Sequence, residues 1–399
     1  MSASAKLGDR SLFPTLAPAA YLNHAAISPP STAVQEAVAG SLTRYAAQGV
    51  GAFMTYLEQR EALRATLASL VGAQTEEIGF VANTTSGVTF AAMSFPWERG
   101  DTVVLLDGEF PANVTPWQQA SDLYGLNIER IPAAHFGSPD PGQGLAALDT
   151  VLRRGAKLVA VSAVQFQTGL RMPLTAISAL AHRHGAAVFV DSIQACGAVP
   201  MNFAALGVDL ATCGGHKWWM GLEGTGFVYV RDTWAKKLRP RLAGWLSHED
   251  GLGFLFDGPG HLRYDRPIKK NASMAEGGAY NTAGFAALGA SVGLIESLGI
   301  DAIYAHIQAY HDALEPKLVE LGLVSRRSPS PGERSGILAF DVPAQHRVTT
   351  LPERLLARGV AVTIPDGCLR FSPHWPNALD EVDRVVEAVE ACLAEANGS

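Results

Sequence analysis

Cysteine is scarce in this chain. Cys196, Cys213, Cys368 and Cys392 are the only four among 399 residues, and their spacing matches neither a metal knuckle nor a disulfide-rich scaffold. No metal site is expected, and the thiols are expected to stay reduced in a cytoplasmic protein. Positive charge is also in deficit. A net charge of -7 leaves no basic footprint for nucleic acid or an anionic membrane, so the expected partner is a small molecule. Long apolar runs are missing as well: Pro14 and Pro18 interrupt residues 1–20, and no later stretch is long and apolar enough to span a bilayer. A soluble, unprocessed protein is expected. No internal repeat or low-complexity tract is present, and the Gly/Pro/Ser-rich stretches Gly137–Gly144 and Arg326–Gly336 read as surface loops. The run His182-Arg183-His184 resembles metal spacing but lacks a third ligand, and reads as a solvated helix end.

The chain does have ample apolar material, at 48% of residues, and is too long for one small core. Short β-branched runs predict strands at Ile78–Ala82, Thr102–Leu106, Asn127–Ile131, Lys157–Ser162, Ala187–Asp191, Leu210–Cys213 and Gly226–Val230. Helix-length stretches such as Pro111–Tyr124, Leu145–Arg154 and Leu174–His184 separate most of them. This alternation predicts an α/β fold, with a parallel or mixed sheet covered on both faces. Beyond about residue 255, long helices (Ala283–Leu298, Asp301–Leu321) precede shorter strands (Gly336–Asp341, Val360–Thr363, Cys368–Ser372). The last helix puts Val382, Val385, Val386, Val389 and Leu393 on one face. The expected organisation is an arm over 1–20, a large domain over 21–255, an interface segment over 256–282 and a smaller α+β domain over 283–399.

Lys217 lies in the turn Cys213-Gly214-Gly215-His216-Lys217-Trp218-Trp219, and Asp191 ends the apolar run Val188-Phe189-Val190-Asp191. A lysine amine that can form a Schiff base, with a carboxylate that can keep a pyridine nitrogen protonated, points to pyridoxal 5'-phosphate. In open α/β sheets such chemistry collects beyond the carboxyl ends of the strands. Asn83-Thr84-Thr85-Ser86-Gly87 follows the first strand and opens a helix, where it serves as an N-cap or a phosphate cup. Phe110, after the second strand, is a core residue or a platform for an aromatic ring. Gly221–Gly226 superficially resembles a dinucleotide loop, but it precedes its strand instead of following one.

Taken together, these motifs resemble the class V aminotransferase family of fold type I pyridoxal phosphate enzymes, which includes cysteine desulfurases, kynureninases, isopenicillin N epimerase and the sulfoxide lyase of ergothioneine synthesis. The resemblance runs from Tyr21-Leu22-Asn23-His24-Ala25-Ala26 to Arg370-Phe371-Ser372-Pro373-His374-Trp375. It implies a mostly parallel seven-stranded sheet sandwiched by helices, with a smaller C-terminal domain. Lys217 would bind the cofactor covalently, Asp191 would pair with the ring nitrogen and Gln194 with the ring hydroxyl. Phe110 would stack on the ring, and Thr84 and Thr85 would line the phosphate cup. Arg370 would grip the substrate carboxylate, with His24 and His374 near the substrate and His216 beside the lysine. It also implies a homodimer with shared sites, in which Glu276-Gly277-Gly278-Ala279-Tyr280-Asn281 reaches the partner's phosphate.

Two departures concern that phosphate. Many relatives have a serine shortly before the lysine and a threonine in the interface segment, where this chain has Gly214-Gly215 and Ala279. Tyr280, Asn281, Thr212 or backbone groups are the candidate replacements. The mobile cysteine loop of desulfurases is also absent. Only Thr363–Leu369 precedes Arg370, and Cys368 reads as a packed thiol. Of Trp218 and Trp219, one is expected in the core and one near the site. With Lys217 as the base at Cα, the motifs permit amino transfer, β-elimination or epimerisation. An aminotransferase-type reaction is expected first and C–S cleavage close behind. A non-catalytic cofactor-binding protein is the remote alternative, disfavoured because Lys217, Asp191 and Arg370 occur together.

Overall fold

The computed structural model describes residues 5–137, 139–140, 142–343 and 348–396. Seven strands build the central sheet: β1 (Ile78–Val81), β2 (Thr102–Asp107), β3 (Asn127–Pro132), β4 (Leu158–Ser162), β5 (Ala187–Asp191), β6 (Leu210–Gly214) and β7 (Gly226–Val230). Their order is β1-β7-β6-β5-β4-β2-β3. Strand β7 runs antiparallel to both neighbours, and all other pairs are parallel. Every expected strand of this sheet forms, within a residue at either end.

The unbroken apolar runs follow from burial on both faces: every residue of β4 to β7 is buried. Alternate side chains enter opposite layers. Val159, Val161, Val188 and Val190 join one core cluster, whereas Leu158, Ala160, Ala187 and Phe189 join the other. The chain leaves β2 outward to β3 and returns to β4 on the other side of β2. The crevice beyond the carboxyl ends of β2 and β4 is therefore a topological switch point, where such sheets bind ligands.

Helices Thr32–Gln48 and Phe53–Leu70 precede the sheet. The long helix Thr282–Leu298, expected with the C-terminal part, packs through Phe285, Leu288, Val292 and Ile295 into the core cluster on one face of the central sheet. The stretch Gly137–Gly144 is a loop only at its start, since a helix spans Gly142–Leu152; Ser138 and Pro141 lie outside the described residues, as do residues 1–4 of the arm. In the C-terminal part, β8 (Val324–Ser325), β9 (Leu338–Asp341) and β10 (Leu369–Phe371) form an antiparallel sheet in the order β10-β9-β8. Val360–Ala361 instead pairs in parallel with Ala20–Tyr21, so Ala20 and Leu22 enter the small-domain core beside Val385 and Val389 of the final helix Glu381–Ala396. Among the described residues no single helix is long and apolar enough to cross a membrane.

Candidate active site

The switch point gathers three of the expected residues from separate strands: Asp191 ends β5, Lys217 follows β6 and Phe110 follows β2, with Ser162, which was not expected, ending β4. Phe110, Ser162, Phe166, Asp191, Gln194 and Lys217 line one small cleft. The Lys217 Nζ lies 5.6 Å from the centroid of the Phe110 ring, which meets Phe166 edge-on at 5.3 Å. Phe110 is 46% exposed, which leaves its ring open as a stacking platform. Burial, and then the nearby Arg370, lower the Lys217 amine to about 8, against the opposing pull of Asp191. Asp191 is buried and pushed up to about 6 by loss of water, with the Ile193 N–H donating to its Oδ1 at 3.0 Å. Gln194 is braced on two sides: its Nε2 donates to Ala25 O at 3.0 Å, and its Oε1 accepts from Trp218 Nε1 at 2.8 Å.

Two anion-seeking ends flank this cleft. Arg370, only 4% exposed, donates to Phe166 O at 2.6 Å, while its Nε has no partner. No carboxylate among the described residues pairs with it, so burial lowers its pKa to about 10. A buried cation without a counter-charge is costly, and a substrate carboxylate would relieve that cost. At the other end, helix Thr84–Ser94 is capped by Asn83, whose Oδ1 accepts from Ser86 N at 2.8 Å and whose carbonyl accepts from Gly87 N at 3.2 Å. The N–H groups of Thr84 and Thr85 are left for an anion, with the helix dipole in support. The buried Thr84 Oγ1 lacks a partner, and a Cβ on Gly214 would lie 3.0 Å from it. Thr85 is exposed at the mouth of the turn.

The donor set therefore fits pyridoxal phosphate: an amine, a buried carboxylate, an aromatic platform and a helix N-terminus with a buried, partnerless Thr84 hydroxyl. Of the candidate replacement donors, Thr212 gives its only side-chain proton to Phe227 O at 3.0 Å. Tyr280 donates to Glu276 Oε2 at 3.0 Å, beneath the Arg60 guanidinium. Asn281 caps helix Thr282–Leu298 through its Oδ1 and reaches Gly224 O at 3.3 Å through Nδ2, keeping one Nδ2 proton to spare. Within one chain neither Tyr280 nor Asn281 lines the Lys217 cleft. Glu276 anchors this segment, accepting from Arg64 Nη1 at 2.5 Å and from Phe80 N at 3.0 Å.

His216 is half-buried with Nδ1 unpartnered, and its pKa is lowered by burial and by Lys217. His24, expected near the substrate, is buried, with Nδ1 on Ser28 at 2.7 Å. Trp218 and Trp219 are both fully buried, so only the Trp218 bond to Gln194 brings either one to the site. Cys368 is buried among Arg326, Asp341 and Asp366, and burial raises its pKa. Among the described residues no cysteine lines the cleft.

The sequence reading missed Glu109. Its buried carboxylate accepts from Ser162 N at 2.7 Å and from the Ser162 hydroxyl, and burial raises its pKa to about 7, with Asp191 adding to the rise. It thus fixes the turn that carries Phe110 and places a second acid near Asp191. Its place next to Phe110 in Asp107-Gly108-Glu109-Phe110 was a signal, but its partner in β4 is set only by the sheet.

The sequence pattern of the class V aminotransferases matches residues 20–380. The chain belongs to that family. Among class V relatives, the cysteine desulfurase of Serratia proteamaculans (strain 568) is 29% identical, over 96% of this chain and 96% of its own. The apo structure of a cysteine desulfurase from Thermococcus onnurineus NA1 superposes with a TM-score of 0.82 at 25% identity, covering 94% of this chain and 95% of that one. A complex of the cystine C–S lyase C-DES with its product cysteine persulfide gives a TM-score of 0.85 at 22% identity, covering 95% of this chain and 99% of that one. The protein is accordingly a pyridoxal phosphate-dependent class V enzyme of fold type I.

Proposed function

We propose that this class V enzyme is a C–S lyase that cleaves the Cβ–S bond of a small sulfur-bearing L-amino acid. The carrying observation is the buried Arg370 guanidinium, without a counter-charge, near a depressed Lys217 amine whose cleft is lined by no cysteine among the described residues. Sulfur chemistry in the relatives supports the substrate class. The lack of a thiol at the cleft disfavours sulfur capture by the enzyme itself. These features put β-elimination ahead of the amino transfer that the motifs alone favour.

Pyridoxal phosphate, when bound, supplies the electron sink that stabilises negative charge at the substrate's Cα. Arg370 receives the substrate carboxylate with its forked donors. Lys217, whose amine is neutral above about pH 8, takes the Cα proton. Asp191 would hold the proton of the cofactor's ring nitrogen, and Phe110 covers one face of the cleft. Loss of the β-sulfur as a thiol, followed by hydrolysis, leaves pyruvate and ammonium.

The functional unit in this reading is a homodimer. Leu42, Val50, Met54, Leu255 and Phe256 are exposed apolar side chains, and a ring contact of 6.2 Å between Phe53 and Phe256 joins the helix-side and loop-side groups. The spare Asn281 Nδ2 proton and the backbone of Gly277–Tyr280 are the donors offered to a partner's phosphate. Addition of L-amino acids one at a time, while following the visible absorption of the yellow holoenzyme, tests the reading. Sulfur-bearing amino acids should change the spectrum and turn over in wild type. Lys217→Ala should retain some cofactor but no turnover, and full activity in that variant would contradict the assignment.

A further inference from the structure

Three consecutive carbonyls of the lysine turn are each held from outside the central sheet. His216 O accepts from Ser28 N at 2.9 Å, Lys217 O from Ser28 Oγ at 2.6 Å, and Trp218 O from His374 Nε2 at 2.9 Å. A carbonyl oxygen can only accept, so the single Ser28 hydroxyl proton goes to Lys217 O. Ser28 Oγ must then accept from His24 Nδ1, 2.7 Å away. His374 Nδ1 accepts from Trp375 N at 2.7 Å, which leaves the imidazole proton on Nε2. Ser28, His24 and His374 are buried, and burial lowers both imidazoles, His374 to about 4, so both are neutral. The bonding pattern of this enclosed network is thereby fixed.

The same network reaches the carboxylate clamp. His24 N donates to Ser372 O at 3.2 Å, and Ser372 N donates to Leu22 O at 2.7 Å. Ser372 extends the strand β10 that carries Arg370, and Asn23 forms a parallel bridge with it. A short path of hydrogen bonds therefore runs from the Arg370 strand through Ser372, His24 and Ser28 to the Lys217 backbone. The lysine side chain has four flexible methylenes, so the direction of its amine depends on a fixed backbone.

We propose that Ser28, His24 and His374 are positioning residues that hold the Lys217 backbone in register with Arg370, so that carboxylate capture and proton transfer share one geometry. This rests on the reading above only in taking Lys217 as the group that moves the Cα proton, and not on which bond breaks afterwards. Ser28→Ala removes the hydroxyl from Lys217 O and leaves His24 Nδ1 unpaired, whereas Ser28→Thr keeps a hydroxyl.

Two readouts test the proposal: the rate at which colour develops when pyridoxal phosphate is added to the apo-protein, and exchange of the Cα hydrogen of L-alanine in deuterated water. Ser28→Ala should slow colour formation several-fold. It should also slow exchange at saturating L-alanine by about tenfold or more, with KM and final cofactor content nearly unchanged, and Ser28→Thr should recover most of both rates. Should Ser28→Ala fail to fold, His24→Phe, which leaves the Ser28 hydroxyl without its donor, carries the same test with a smaller slowing. Wild-type rates in a folded Ser28→Ala or His24→Phe variant would overturn the proposal, as would a loss confined to KM or cofactor content. If wild type neither exchanges the Cα hydrogen of L-alanine nor turns over L-cysteine or L-cystine, yet Ser28→Ala still colours slowly, the positioning role stands and the proposed function fails.

Discussion

Lys217 and Arg370 are neighbouring buried cations: loss of water, and then the Arg370 charge, lower the Lys217 amine to about 8, while Arg370 is fixed at Phe166 O and the amine stands over Phe110. This relationship gives the site both an anion trap and an amine that loses its proton near pH 8, well below an ordinary lysine.

The first prediction concerns that amine. Only neutral Lys217 can attack added pyridoxal phosphate, so the rate of colour formation in the apo-protein should rise with pH and level off above about 8. Arg370→Gln removes the neighbouring charge and should move the midpoint upward. An unchanged midpoint would separate the two residues electrostatically.

Arg370→Lys should weaken substrate binding far more than cofactor binding. A point-charge ammonium cannot reproduce a forked clamp, and losing such a pair costs on the order of 2–4 kcal/mol, or roughly 30-fold to nearly 1000-fold in affinity. Titration of each ligand against wild type and variant checks this; equal losses would place Arg370 elsewhere.

Asp191 leads to a stability prediction. Its carboxyl keeps its proton up to about pH 6 when folded, against an ordinary value of 3.8. Between those values the folded chain holds more protons than the unfolded one, so this group's contribution to apo-protein stability falls as pH rises. A cationic ring nitrogen opposite Asp191 would offset that loss, so pyridoxal phosphate should raise Tm more at about pH 7 than at about pH 5. In Asp191→Asn this pH dependence of the gain should shrink, and a gain as pH-dependent as in wild type would remove Asp191 from the ring.

Cys368→Ala should leave C–S cleavage within about twofold of wild type, because a buried thiol with a raised pKa carries little thiolate. Loss of turnover in a folded Cys368→Ala variant would return the enzyme to persulfide chemistry.

Much of this was legible in the chain. The sheet strands showed because doubly buried parallel strands must be apolar throughout, and Asp191 and Lys217 showed because each closes such a strand or its turn. Helices Thr32–Gln48 and Phe53–Leu70 did not, since each mixes small, polar and apolar residues without a clear stripe. Glu109 and Ser28 were silent, and His374 read as a substrate neighbour although it is buried on Trp218 O, because their partners lie 53, 189 and 156 residues away along the chain. Their roles exist only once β2 meets β4 and the small domain closes on the lysine turn. Tyr280 was legible as a motif residue, but its proton is given to Glu276, a choice made by the buried Arg60, Arg64 and Glu276 group.

The most direct test is product analysis by NMR of L-cysteine and L-cystine incubated with the holoenzyme. The account predicts pyruvate and ammonium in equal amounts with released sulfide or persulfide, in wild type and Cys368→Ala alike, and none in Lys217→Ala. Alanine with sulfur retained on the protein, or a sulfur-bearing keto acid with the amino group left on the cofactor, would contradict it.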